Sequence, residues 1–209
     1  MKRAHTPRAF SLPEMLVVIG IIAILMGLLM PTLGRARAAA AKVQCSANLA
    51  DLGRAFQMYL SDSKGRVPQV NALPKRTPAF NNAPSVLAVF DRYTGGSAGV
   101  WRCPSDRPLN TDSTFPADAQ TYFDAYGLSY EYNSWMNAHH GGGTFSGALD
   151  VAKEPPISVT PDKFRIFNDF SHFHGPPSKA GNMNFLFADW HVGDIGSALT
   201  VNDLTNPGT

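Results

Sequence analysis

The sequence predicts an α+β fold: one long N-terminal helix, membrane-spanning in its first half, packed against a small antiparallel sheet. Three observations predict it. Residues 15–30 form an unbroken apolar run. A one-sided apolar stripe at helical spacing follows it. The remainder is rich in Pro and Gly, and its short runs alternate as strands do.

Composition narrows the class before any motif is read. The chain has 209 residues, of which 44% are hydrophobic, too many for a chain disordered throughout. The formal charge is only +2, from 18 Lys+Arg against 16 Asp+Glu. A dedicated nucleic-acid binder would show a basic domain or stripe, so no nucleic-acid partner is expected. Lys2, Arg3 and Arg8 all precede the apolar run. Without residues 1–9 the balance is 15 against 16, so the positive excess belongs to a leader.

The stretch 10–33 holds one charge, Glu14. As a helix it measures about 36 Å, enough to cross a hydrocarbon layer of about 30 Å. A core helix of a soluble protein is usually amphipathic, and this segment is apolar on every side. Flanking charge does not orient it, because Lys2, Arg3 and Arg8 are matched by Arg35, Arg37 and Lys42. A secretory signal peptide, released by signal peptidase after Ala38 in Ala36-Arg37-Ala38, is the competing reading. Against it stand the length of the run, the acid at its start and a helical pattern that continues past the cleavage site.

The segment Arg8-Ala9-Phe10-Ser11-Leu12-Pro13-Glu14-Met15-Leu16-Val17 resembles the N-terminus of type IV prepilins and type II secretion pseudopilins. Their pattern is a basic leader, a small residue, Phe, three residues, Glu and a long apolar helix. Ala9 stands where Gly is usual. The resemblance implies that prepilin peptidase cuts between Ala9 and Phe10 at the cytoplasmic face and that the new Phe10 amine is methylated. It implies that Glu14 neutralises the N-terminal ammonium of a neighbouring pilin or pseudopilin subunit during assembly. It implies a pilin-like fold, no catalytic residue, and a single-pass inner-membrane precursor with its C-terminal domain outside the cytoplasm. Physical chemistry agrees with a special role for Glu14, since a carboxylate at a bilayer edge is costly without a partner.

The chain is then divided into a leader (1–9), a transmembrane helix (10–33), an amphipathic continuation (34–62) and a C-terminal domain (63–209). Gly20, Ala23, Gly27, Pro31 and Gly34 share one helix face, and Pro31 with Gly34 offers a place to bend. Leu49, Leu52, Phe56 and Tyr59 form the stripe, with Asn48, Asp51 and Arg54 assigned to the opposite face. The helix is expected to run from about Leu12 to about Ser61.

In the C-terminal part, 85–93 reads as a short helix. The stretches 100–102, 125–133 and 163–167 read as strands, and 182–187 with 190–192 as a late hairpin. Loops are expected at 105–121 and 136–160. This part also resembles a subset of prepilin-like proteins. The shared features are Cys103-Pro104-Ser105-Asp106, Ser129-Tyr130-Glu131-Tyr132-Asn133, and a variant of a His, nine residues, Asp-Gly segment. Here that segment is His174, fourteen residues, then Asp189-Trp190, with Trp in place of Gly.

Cys45 and Cys103 are either bridged or two buried thiols, since the sequence supplies no Cα–Cα distance. A bridge outside the cytoplasm would be worth roughly 3–5 kcal/mol. His139, His140, His172, His174 and His191 fall late, near Asp169, Asp189 and Asp194, but their spacings match no metal motif. Solvated or hydrogen-bonded roles are expected, with no metal or other cofactor. No G-x-S-x-G, P-loop or H-E-x-x-H motif is present, and Cys103 with a distant His is a poor nucleophile pair. The leading expectation is a structural filament subunit. The alternatives are a secreted binding module or enzyme, and a tip subunit binding a ligand through Trp101, Trp135 and Trp190.

Overall fold

The computed structural model describes residues 12–71, 83–107, 119–133, 162–171, 173–175 and 182–194. Ala9, Phe10, Trp135, His139, His140, His172 and the expected loop 136–160 lie outside them. The chain divides into two compact units, Met1–Ala40 and Ala41–Thr209.

Helix α1 covers Leu12–Asp62 and includes Pro31 without interruption. In its first part the apolar side chains are uncovered: Leu12, Ile24 and Leu28 are each at least two-thirds exposed. An added Cβ at Gly20, Gly27 or Gly34 would meet nothing within 4 Å. This is the helix long and apolar enough to cross a membrane.

From Cys45 onward the same helix becomes one-sided. Cys45, Asn48, Leu49, Leu52, Gly53, Ala55, Phe56 and Leu60 are buried. Asn48 was expected on the outer face, and the structure reverses this. Steps of four residues carry Asn48, Leu52 and Phe56 along one line, so its amide enters the core with them. The helix ends where Lys64 (φ 57°) and Gly65 (φ 75°) turn left-handed and the Gly65 N–H donates to Leu60 O at 2.7 Å.

Helix α2, Val86–Phe90, is capped by Ser85, whose hydroxyl accepts from the Leu87 N–H. A 3₁₀ turn, Asp91–Tyr93, extends it, in line with the helix expected over 85–93. The stretch 100–102 is not a strand: Ala98–Trp101 is a second 3₁₀ turn. The stretch 125–133 divides. Helix α3 takes Tyr122–Tyr126, capped by Thr121, and only Tyr130–Tyr132 is a strand, β1. Aromatic–small alternation is compatible with either element when the run is short, and the Thr121 cap together with Gly127 just past the helix decides for a helical turn.

The sheet adds β2 (Arg165–Asp169), β3 (Phe185–Phe187) and β4 (Val192–Gly193) in the order β1-β2-β3-β4, with every pair antiparallel. Tyr130 faces Asp169, and Phe185 faces Gly193. The β3–β4 hairpin is the late one expected from the sequence. Its turn places Trp190 at φ 73°, a region that disfavours a Cβ. The cost is offset by packing, with the indole 6.1 Å from the Phe56 ring, and by the Trp190 N–H bond to Phe187 O at 2.9 Å.

Phe56 is the hub of the core. Its ring lies 5.7 Å from Phe90, 6.3 Å from Tyr132 and 6.4 Å edge-on from Phe167. Helix and sheet approach closely at Gly53, where an added Cβ would stand 3.1 Å from Leu186 Cδ1. Replacing Phe56 by Ala is expected to lower unfolding free energy by about 3–5 kcal/mol, read from denaturant unfolding. Gly53→Val is expected to cost about 1–3 kcal/mol by overpacking against Leu186 in the same assay.

Candidate functional site

The site worth building lies where α1 meets the sheet around Cys45. Cys45 and Cys103 are joined by a disulfide with a Cα–Cα distance of 5.1 Å, and both are buried. It closes a loop of 58 residues in sequence separation. In the chain-entropy account that is worth about 4 kcal/mol.

Helix α1 supplies two polar groups beside the bridge. The Asn48 amide donates to Arg102 O at 2.9 Å and to the Tyr130 hydroxyl at 3.2 Å. Its oxygen accepts from Gln44 at 3.0 Å. A buried amide so used is fully satisfied, which is the condition for tolerating it in a core. The Ser46 hydroxyl lies 3.1 Å from Asn184 Oδ1. Burial pushes the Tyr130 phenol upward, so its hydroxyl stays neutral as a hydrogen-bonding group.

Asp169, at the end of β2, accepts from Asn184 N at 2.7 Å and Asn184 Nδ2 at 3.0 Å through Oδ2. The same oxygen lies 3.3 Å from His174 Nε2. The side chains of His174 and Asp169 are 2% and 0% exposed. Burial raises the Asp169 carboxyl above its ordinary value, opposed by the bonds from His174 and Asn184. His174 Nε2 also lies 3.9 Å from Cys103 Sγ. The Asn182 side chain packs closely on Gly175 beside it: a Cβ there would fall 2.3 Å from Asn182 Oδ1, so that side chain would have to shift. A dyad of His and Asp therefore touches the disulfide. In sequence, Cys103 and a distant His make only a poor nucleophile pair. Closed into a buried disulfide, Cys103 is no nucleophile.

Asp106 closes the other side of this region. Its carboxylate accepts from Tyr122 N (3.1 Å), Phe123 N (2.8 Å) and the Ser129 hydroxyl (2.6 Å). It thus anchors the first turn of α3 and the residue leading into β1 at once. Asn133, past β1, donates to Arg165 O at 2.9 Å. Asp106 of Cys-Pro-Ser-Asp and Ser129 and Asn133 of Ser-Tyr-x-Tyr-Asn are thereby given structural tasks.

Other expected residues are elsewhere. His191 is exposed and pairs with Asp189, stacking on Phe187 at 4.4 Å. Asp194 is exposed. Of the three tryptophans expected to form a ligand surface, Trp101 is 3% exposed, buried against Phe90 and Phe167, and the half-buried Trp190 packs on Phe56; Trp135 lies outside the described residues. Indoles of that size stabilise more by burial than by waiting for a ligand. Glu14 lies in the first turn of α1 on an exposed stretch.

A family model described as the prokaryotic N-terminal methylation motif matches residues 6–30. No curated protein and no solved structure matches the chain significantly. The match supports a type IV prepilin-like protein, and the long apolar helix from Leu12 with a small antiparallel sheet after it is consistent with a pilin-like fold.

Two predictions follow from the polar contacts. Asn48→Ala strands Arg102 O and the Tyr130 hydroxyl without their donor and is expected to cost about 1–3 kcal/mol in denaturant unfolding. Asp106, raised from 3.8 chiefly by burial, contributes stability that is full below that value and is lost as pH rises through the raised one. The Asp106→Asn variant is therefore expected to show a shallower fall in unfolding midpoint than the parent across that interval, followed by circular dichroism.

Proposed function

We propose that this chain is a structural subunit of a type II secretion pseudopilus or type IV pilus-like filament, and not an enzyme. The observation that carries the reading is a methylation motif at 6–30 followed from Leu12 by a helix whose apolar window is 0% buried within the chain. Such a surface requires lipid first, and neighbouring helices once assembled.

In this reading prepilin peptidase cuts between Ala9 and Phe10 and methylates the Phe10 amine at the cytoplasmic face. The precursor waits in the inner membrane as a single-pass protein with its C-terminal domain outside the cytoplasm. Glu14 then meets the ammonium of a neighbouring subunit's Phe10, an ion pair that sets the axial step of the growing bundle. Removing charge from the leader accompanies this, since the positive excess leaves with residues 1–9.

Mass spectrometry of the mature protein, from cells with and without the peptidase, tests the processing. The expected N-terminus is methylated Phe10 when the peptidase is present and Met1 when it is absent. An N-terminus at Ala39, or a leader retained beside active peptidase, defeats the proposal. Glu14→Gln is expected to leave the stability of the globular unit within about 0.5 kcal/mol of the parent, as surface changes do, while filament yield in sheared-cell fractions falls.

A further inference from the structure

We propose that, when the Cys45–Cys103 bridge is open, the two thiolates form a buried Zn²⁺ site with His174 Nε2 and the Asp169 carboxylate. The closed bridge and the metal are alternative ways of tying α1 to Cys103, and this inference does not depend on filament assembly. Among the described residues, one atom from each of Cys45, Cys103 and His174 lies within 4.8 Å of the others.

The distances suit the metal. Zinc bonds of about 2.3 Å to sulfur and 2.0–2.2 Å to nitrogen and oxygen put tetrahedral S···N neighbours about 3.6 Å apart and N···O neighbours about 3.3 Å apart. Cys103 Sγ is 3.9 Å and Asp169 Oδ2 is 3.3 Å from His174 Nε2. Asp169 faces the ring nitrogen that would hold the metal; it lies outside the group of three within 4.8 Å of one another and completes the site as fourth ligand by a shift of its carboxylate toward the sulfurs.

A second observation points the same way. Among the described residues, Asp169 Oδ1 is buried with no hydrogen-bond partner, so the carboxylate is not saturated where it stands. An orphaned carboxylate oxygen in a dry site is the kind of group a bound cation satisfies. Two thiolates with imidazole and carboxylate form a donor set that tetrahedral zinc accepts. The scattered ligands explain why no spacing motif announced them: they come from α1, the turn after Trp101, the end of β2 and the segment beyond it.

The chemistry balances. A dithiol reductant gives the bridge two electrons and two protons and is itself oxidised to a disulfide. Zn²⁺ then displaces the two thiol protons. In the newly made chain the thiols are open before any bridge forms, and no reductant is required.

The test uses the full chain in detergent micelles, reduced with a phosphine without oxygen and titrated with Co²⁺ as the probe. Sulfur-to-cobalt charge-transfer absorption and tetrahedral visible bands are expected in the reduced chain, absent from the oxidised chain and lost on adding Zn²⁺. The Cys45→Ser/Cys103→Ser double variant should show neither. His174→Ala should weaken Co²⁺ binding about tenfold or more, and Asp169→Asn should shift the visible bands. Circular dichroism on the same samples guards against loss of fold: Zn²⁺ should raise the unfolding midpoint of the reduced chain only. No charge-transfer band in the reduced chain, or equal affinity in His174→Ala, overturns the site. A reduced chain that unfolds and is not restored by Zn²⁺ overturns it as well.

Discussion

The globular unit depends on one face of α1, residues 45–60. Four strands of two to five residues cannot bury enough apolar surface to stand alone. Leu49, Leu52 and Phe56 give them something to cover, and each is almost wholly shielded from water. Phe56 alone reaches α2, β1, β2 and the β3–β4 turn. Close approach at Gly53 lets Leu186 settle against the helix backbone. The sheet is thus organised by the helix, and the helix in that half is held by the sheet.

Apolar burial is not directional, so the register of this packing has to come from somewhere else. Polar contacts provide it. Asn48 bonds Arg102 and Tyr130, Ser46 reaches Asn184, and Asn184 reaches Asp169. Each bond is correct in only one alignment of helix against sheet, and a misaligned core would strand a buried amide or carboxylate. The disulfide then ties α1 covalently to the turn that carries Arg102. Nearer the N-terminus the same helix follows the opposite rule, with side chains apolar all round and no cover from the chain itself. Two solvents are written into one helix, and the change of pattern between Gly34 and Cys45 marks where one gives way to the other.

Much of this was legible in the residues. The absence of charge after Glu14 and the three-four-three spacing from Leu49 to Tyr59 gave the helix almost to its last residue, because these patterns are local. Short elements were less legible. Val100–Arg102 read as a strand and Ala125 as strand-forming, but three or four residues carry too little period to separate a turn of helix from a strand. Asn48 differs for another reason: its polarity points to an exposed face, while helix geometry puts it in line with the buried Leu52 and Phe56.

The sequence by itself determined the apolar anchor, its basic leader, the acid at position 14 and the one-sided helix that follows, since each is a property of neighbouring residues. Only the tertiary structure decided that Cys45 meets Cys103, that Trp101 is core and not a ligand surface, and that His174 lies against both Asp169 and the disulfide. Those contacts join positions tens of residues apart. Their distances depend on how the intervening chain packs, and no local period encodes that.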